Sequence, residues 1–214
     1  MSTNIKFCGL TKVADVRIAL ELGASFVGAV FAEGPRTVTP SQARLLFEDV
    51  NSARRVGVFG DQSTDEIARA AEAASLDVVQ LHADPSPQVV SAVKRTTGLE
   101  TWAAMRIANR PTDSELDDLL SSADAIVFDS RVTGALGGTG RAFDWSLIAS
   151  LLDTERRTRA RVVLAGGLTP ALAPLAIAAL RPDVVDVSSG VESEPGVKDH
   201  TLMRAFAAAV RRPS

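Results

Sequence analysis

The chain has 214 residues, 46% of them hydrophobic and 23% charged, which suits one globular domain with a full core. A formal net charge of -3 leaves no basic footprint for nucleic acid, so an acidic ligand must be met by local groups rather than by the global field. One cysteine excludes an internal disulfide, and with only His82 and His200 beside it a Cys/His metal cluster cannot be assembled.

The opening MSTNIKFCGL lacks the layout of a signal peptide. The long apolar run 162–180 contains a Gly pair and two prolines, so it reads as strand, loop and helix rather than as a membrane span. A cytoplasmic location with no membrane partner is the expectation.

Short β-branched apolar runs alternate with helix-period segments along the chain, with Gly, Pro, Asp, Ser or Thr at the joins. The first strand is expected over residues 4–8, followed by a helix from Thr11 to near Gly23. The second covers 25–31, with a helix opened by Pro40-Ser41. The third, 55–59, leads to a helix whose Ser63 and Glu66 have capping-box spacing. The fourth covers 77–81, with a helix from near Pro85-Ser86-Pro87. The fifth covers 100–107, before a helix opened by Thr112 and Asp113. The sixth, 124–129, precedes a Gly-rich loop and a helix from about Phe143. The seventh covers 161–165, with a helix from Pro170, and the eighth 183–188, with a last helix over about 198–210.

Eight strand–helix units with continuous apolar strands predict an α/β fold with a parallel sheet covered by helices. Closed, that sheet is a (β/α)8 TIM barrel, a single catalytic domain over 1–214 with minimal loops. A doubly wound open sheet is the alternative, but no unit is polar enough to stand out as an edge.

Ligands of either fold sit at the C-terminal strand ends, which here carry Cys8, the Gly34-Pro35-Arg36 loop, His82, Arg106, Asp129, Gly166-Gly167 and Ser188-Ser189-Gly190. Gly166, Gly167, Ser189 and Gly190 end strands seven and eight, where barrels bind phosphate on backbone N–H groups. Acidic residues near the ends of strands three and four, Asp61 and Asp84, argue for a ligand with one phosphate. Cys8 and Asp129 can act as base and acid only where the site shifts their proton affinities toward the working pH. Arg36 offers a planar fork to a carboxylate, and His82 a donor to a hydroxyl. The run Gly137-Gly138-Thr139-Gly140 lacks nucleotide-loop spacing and reads as a lid over the site.

In order, these residues resemble the motif set of the phosphoribosylanthranilate isomerase family of tryptophan biosynthesis. The matching segments are Lys6-Phe7-Cys8-Gly9-Leu10-Thr11, Pro35-Arg36, Gln80-Leu81-His82, Phe128-Asp129-Ser130 and Gly138-Thr139-Gly140 with Phe143-Asp144-Trp145. Leu164-Ala165-Gly166-Gly167-Leu168, Val185 through Glu192 and Pro195 through Asp199 complete the set, which spans nearly the whole chain. The sequence departs from the family pattern at Gly34 and Thr37 around the arginine, and at Ala83 where the family usually has glycine.

The resemblance implies an Amadori rearrangement of N-(5-phosphoribosyl)anthranilate to 1-(2-carboxyphenylamino)-1-deoxyribulose 5-phosphate. In it Cys8 is the general base, Asp129 the general acid, and Arg36 the holder of the anthranilate carboxylate. His82 lies on the substrate side, and the loops after strands seven and eight hold the phosphate. It implies a small phosphorylated substrate, no cofactor and no metal, and it leaves the oligomeric state open. A related isomerase of histidine biosynthesis is the rival, but its substrate has two phosphates and its family carries aspartate where Cys8 stands. A catalytically silent sugar-phosphate sensor is a second rival, and the presence of both Cys8 and Asp129 argues against it.

Overall fold

The structure is a computed structural model that describes residues 3–106, 112–129, 145–152 and 154–211. Among these, eight parallel strands close in sequence order into a barrel. They are β1 (Asn4–Phe7), β2 (Phe26–Val30), β3 (Arg54–Phe59), β4 (Val78–Leu81), β5 (Glu100–Arg106), β6 (Ala125–Asp129), β7 (Arg161–Ala165) and β8 (Val184–Val187). Around them run α1 (Val13–Glu21), α2 (Pro40–Leu46), α3 (Thr64–Ala73), α4 (Pro87–Thr97), α5 (Asp113–Leu120), α6 (Ser146–Ala149), α7 (Thr154–Arg159), α8 (Ala173–Leu180) and α9 (His200–Val210). The expected (β/α)8 barrel is the fold observed.

The period of two along a strand explains why the strands are apolar on both faces. Ile5, Phe7, Val79, Leu81, Phe128 and Val185 belong to the large cluster shared with the helices. Phe26, Val56, Val78, Trp102, Val127 and Val163 form a second cluster that fills the barrel. Trp102 is fully buried there, its ring edge-on to Phe26 with centroids 4.9 Å apart. Its indole Nε1 donates to Glu100 Oε1 at 2.6 Å, and Arg54 and Arg161 also donate to the Glu100 carboxylate. This charged knot sits at the strand starts, opposite the end where the ligand residues gather.

Helix starts follow local chemistry. Ser63 and Glu66 form the capping box their spacing predicted, and Thr39 with Gln42 and Thr112 with Glu115 form two more. Three starts are corrected, the first being α1, which begins at Val13 rather than Thr11. α8 begins at Ala173 rather than Pro170, because the Thr169 carbonyl and hydroxyl first take the Leu172 N–H in a turn. α9 begins at His200 rather than near Lys198, because Val197–Lys198 (β10) pairs antiparallel with Glu192–Glu194 (β9). Asp199 then caps the helix by accepting from the Thr201 and Leu202 N–H groups.

This β9–β10 hairpin, preceded by a 3-10 turn at Ser189–Val191, was not expected from the sequence. The expected lid at Gly137-Gly138-Thr139-Gly140, the helix start at Phe143 and the motif residue Ser130 lie outside the described residues. No described helix is long and apolar enough to cross a membrane.

Trp102 is the largest side chain wholly inside the barrel. Trp102→Ala should therefore destabilise the protein by about 3–5 kcal/mol, read as a lowered midpoint in urea unfolding. A change below about 1 kcal/mol would mean that the barrel interior is not packed as described.

Candidate active site

Period two carries the inward face of β1 from Asn4 through Lys6 to Cys8, the first residue past the strand. Lys6 pairs across the closing seam with Asp186 of β8, and its Nζ donates to Asp186 Oδ2 at 2.7 Å. Both residues are buried, Lys6 completely. Burial alone would strip the Lys6 proton, but Asp186, and more weakly Cys8, outweigh it and raise its affinity above that of a free lysine. The neighbouring β2 position is Gly28. A Cβ there would lie 3.2 Å from Cys8 Sγ and 3.4 Å from Lys6 Cε, so its missing side chain leaves the room in which the two meet. Burial pushes the Cys8 thiol above its ordinary range, with Lys6 and Lys198 pulling it down and Asp186 pushing it further up.

A second ionic group forms the rim beside Cys8. Arg36 Nε and Nη2 donate to the two oxygens of Glu192 at 2.8 and 2.6 Å. Glu192 Oε1 also accepts from Lys198 Nζ at 2.7 Å, and the same ammonium donates to the Ser188 carbonyl at 3.1 Å. Burial favours the protonated Glu192, but the bonds from Arg36 and Lys198 prevail and lower its pKa to about 2. Gly9 has φ +68, and a Cβ on it would come 2.4 Å from Arg36 Cδ, so Arg36 lies across a residue that must be glycine.

Across the mouth, His82 follows β4 and Asp129 ends β6, with 3.5 Å between His82 Nε2 and Asp129 Oδ2. Burial holds His82 below the ordinary histidine range against the opposing pull of Asp129. Three buried polar atoms of this wall, Gln80 Oε1, His82 Nδ1 and Asp186 Oδ1, have no hydrogen-bond partner among the described residues. Each is a candidate contact for a hydroxylated ligand.

After β7, Gly166 and Gly167 adopt φ +84 and +66. After β8, Gly190 meets them: a Cβ there would lie 1.8 Å from the Leu168 carbonyl oxygen, so only glycine lets the two loops lie side by side.

One cavity of about 230 Å3 gathers Cys8, Arg36, His82, Asp129, Gly166, Gly167, Ser189 and Gly190, eight of the strand-end residues singled out in the sequence. Arg106 is not on its wall and faces Asp84 at 3.4 Å instead. The expected bidentate grip of Arg36 is refined: its Nε–Nη2 edge belongs to Glu192, and Nη1 has no hydrogen-bond partner among the described residues. His200 bonds the buried Asp15 at 2.8 Å, away from the cavity.

Lys6, Gln80, Asp186, Glu192 and Lys198 stood in the motif segments without a role of their own. Their signal was present for the strand residues, since Lys6, Gln80 and Asp186 break the apolar run of otherwise buried strands. Among the described residues no group of three or more His, Cys, Asp or Glu is placed to hold a metal ion.

An eight-stranded parallel barrel with a thiol, a carboxyl and two glycine loops around one cavity at the strand C-termini defines a barrel enzyme of small-molecule metabolism. The model of the N-(5'-phosphoribosyl)anthranilate isomerase family matches residues 5–209. A Magnetococcus marinus protein named N-(5'-phosphoribosyl)anthranilate isomerase is 40% identical, over 99% of this chain and 97% of its own. One of the same name from Pseudomonas fluorescens Pf0-1 is 38% identical, over 96% of this chain and 97% of its own. The crystal structure of phosphoribosyl anthranilate isomerase from Thermotoga maritima superposes with a TM-score of 0.84 at 32% identity, covering 98% of both chains. The chain belongs to the phosphoribosylanthranilate isomerase family, isomerases of tryptophan biosynthesis.

The depressed Glu192 carboxyl gives a pH dependence with a definite sign. Its folded value of about 2 lies below that of unfolded glutamate, about 4.3, so its stabilisation is complete above the higher value and is lost as pH falls through the lower. Unfolding free energy should therefore fall more steeply below about pH 4.3 in the wild type than in Glu192→Gln, as measured by urea titration. Equal slopes would contradict the ionic group.

Proposed function

We propose that the cavity performs the Amadori rearrangement of N-(5'-phosphoribosyl)anthranilate with Asp129 as general acid and Cys8 as general base. The observation that carries this reading is that both side chains face one cavity whose rim holds two glycine loops and a guanidinium. A related protein has been crystallised with reduced 1-(o-carboxyphenylamino)-1-deoxyribulose 5-phosphate, and that chain superposes with a TM-score of 0.80 at 30% identity. This supports a product of the same class here.

The substrate phosphate sits on the backbone N–H groups of Gly166, Gly167, Ser189 and Gly190, which β7 and β8 bring together. The anthranilate carboxylate meets the Nη1 side of Arg36, whose other edge is anchored by Glu192. On this reading the ribose lies between Cys8 and Asp129, with His82 and Gln80 facing its hydroxyls.

Asp129 in its acid form gives a proton to the furanose ring oxygen, and the C1–O bond breaks as the anilino nitrogen forms the iminium. Cys8 as thiolate takes the C2 proton, the C2–H electron pair forms the C1=C2 bond, and the iminium π pair returns to nitrogen to give the enolamine. Tautomerisation of the C2 enol to the ketone completes the isomerisation, with no net change in protons or oxidation state of the whole molecule. The iminium is the electron sink, so the route calls for no cofactor.

A positioned acid or base contributes roughly 10²–10⁴-fold. Cys8→Ala and Asp129→Asn should each lower kcat by that range in a fluorescence assay with freshly made substrate, while circular dichroism stays unchanged. A folded Cys8→Ala protein with near-normal kcat would sink the assignment.

A further inference from the structure

Lys6 is a fully buried charged side chain that contributes nothing to the cavity wall. Its ammonium is held by Asp186 Oδ2 at 2.7 Å, and its Cε and the Cys8 sulfur lie 3.4 and 3.2 Å from the point where a Cβ on Gly28 would stand. A side chain at Gly28 would press on both. An ion pair placed for stability alone has no need of that opening, because a buried pair roughly breaks even against apolar residues of the same size. The second oxygen of Asp186 stays without a hydrogen-bond partner and lies on the cavity wall.

We propose that Lys6, held in place by Asp186, is the positioning residue for the base: its ammonium favours the Cys8 thiolate and aims the sulfur into the cavity, though Lys6 itself never meets the substrate. The inference rests on the reading of Cys8 as the base.

The charged surroundings of the thiol are drawn from several elements. Lys6 comes from β1, Asp186 from β8, Lys198 from β10 and Arg36 from the loop after β2, with His82 and Asp129 across the cavity. Arg36 and Lys198 are both committed to Glu192, which offsets their charge. Lys6 has Asp186 as its counter-ion, but its effect on the thiol exceeds both that of Asp186 and that of Lys198. It is thus the cation whose loss Cys8 should feel most.

The sequence makes the test clean. Cys8 is the only cysteine and the chain has no tyrosine, so the ultraviolet absorbance that grows with thiolate as pH rises reports Cys8 alone. In Lys6→Met the rise should move to higher pH, with the thiolate fraction on the rising limb reduced by about tenfold at fixed pH. kcat/KM should fall by the same factor, its pH profile displaced in the same direction, with KM little changed.

Lys6→Met leaves the Asp186 carboxylate buried without its partner, which threatens folding. Lys6→Met/Asp186→Asn removes both charges and should show a smaller displacement in the same upward direction, because the Lys6 effect is the larger of the two. A thiolate titration unmoved from wild type in whichever of these variants folds would overturn the role of Lys6. Retained turnover in Cys8→Ala would instead overturn the reading beneath it, so the two failures are distinguishable.

Discussion

The Lys6–Asp186 ion pair is the constraint on which the site depends. It lies at the seam where β1 meets β8, the contact that turns eight parallel strands into a closed barrel. A charge buried in this interior would be intolerable alone and becomes admissible only because its partner sits directly across the register. The pair therefore ties barrel closure to the chemistry at the strand ends: the same two residues that must be in register flank Cys8 one step further on. Gly28 completes the arrangement by leaving the space that any side chain would fill.

The rim is built on the same principle with different residues. Arg36 is fixed by Glu192, Glu192 by Lys198, and Lys198 by the Ser188 carbonyl, so one guanidinium is held through the β9–β10 hairpin rather than by its own loop. The hairpin is also held to the loop after β1, where Thr11 donates to the Gly196 carbonyl at 3.1 Å. The close approach of Gly190 to Leu168 holds the two glycine loops in contact. The donors of the rim are thus already oriented, and preorganisation of this kind is the main electrostatic resource of an active site.

Much of this was legible in the residues. The alternation of apolar runs and caps gave eight units, and the strand ends gave Cys8, Arg36, His82, Asp129 and the two glycine loops, all of which share one cavity. What escaped was pairing over long sequence separations. Lys6 and Asp186 are 180 positions apart and Arg36 and Glu192 are 156 apart, and nothing local in either segment names its partner. The hairpin escaped because β10 is only two residues long and abuts a helix cap, so its apolar pattern merges with that of α9. Period two did hold a clue, since Asn4, Lys6 and Cys8 share a face, which makes Lys6 an inward charge in a buried strand.

The central claim is that Cys8 abstracts the proton, and its most direct test lays two pH profiles of the wild-type protein over each other. One is kcat/KM for N-(5'-phosphoribosyl)anthranilate, and the other is the thiolate absorbance of the single cysteine in the ligand-free protein. Because burial pushes the thiol above its ordinary range, both curves should rise together on the alkaline side with a common midpoint. A rise in kcat/KM that is complete well below the pH at which Cys8 ionises would contradict the account and assign the base to another group.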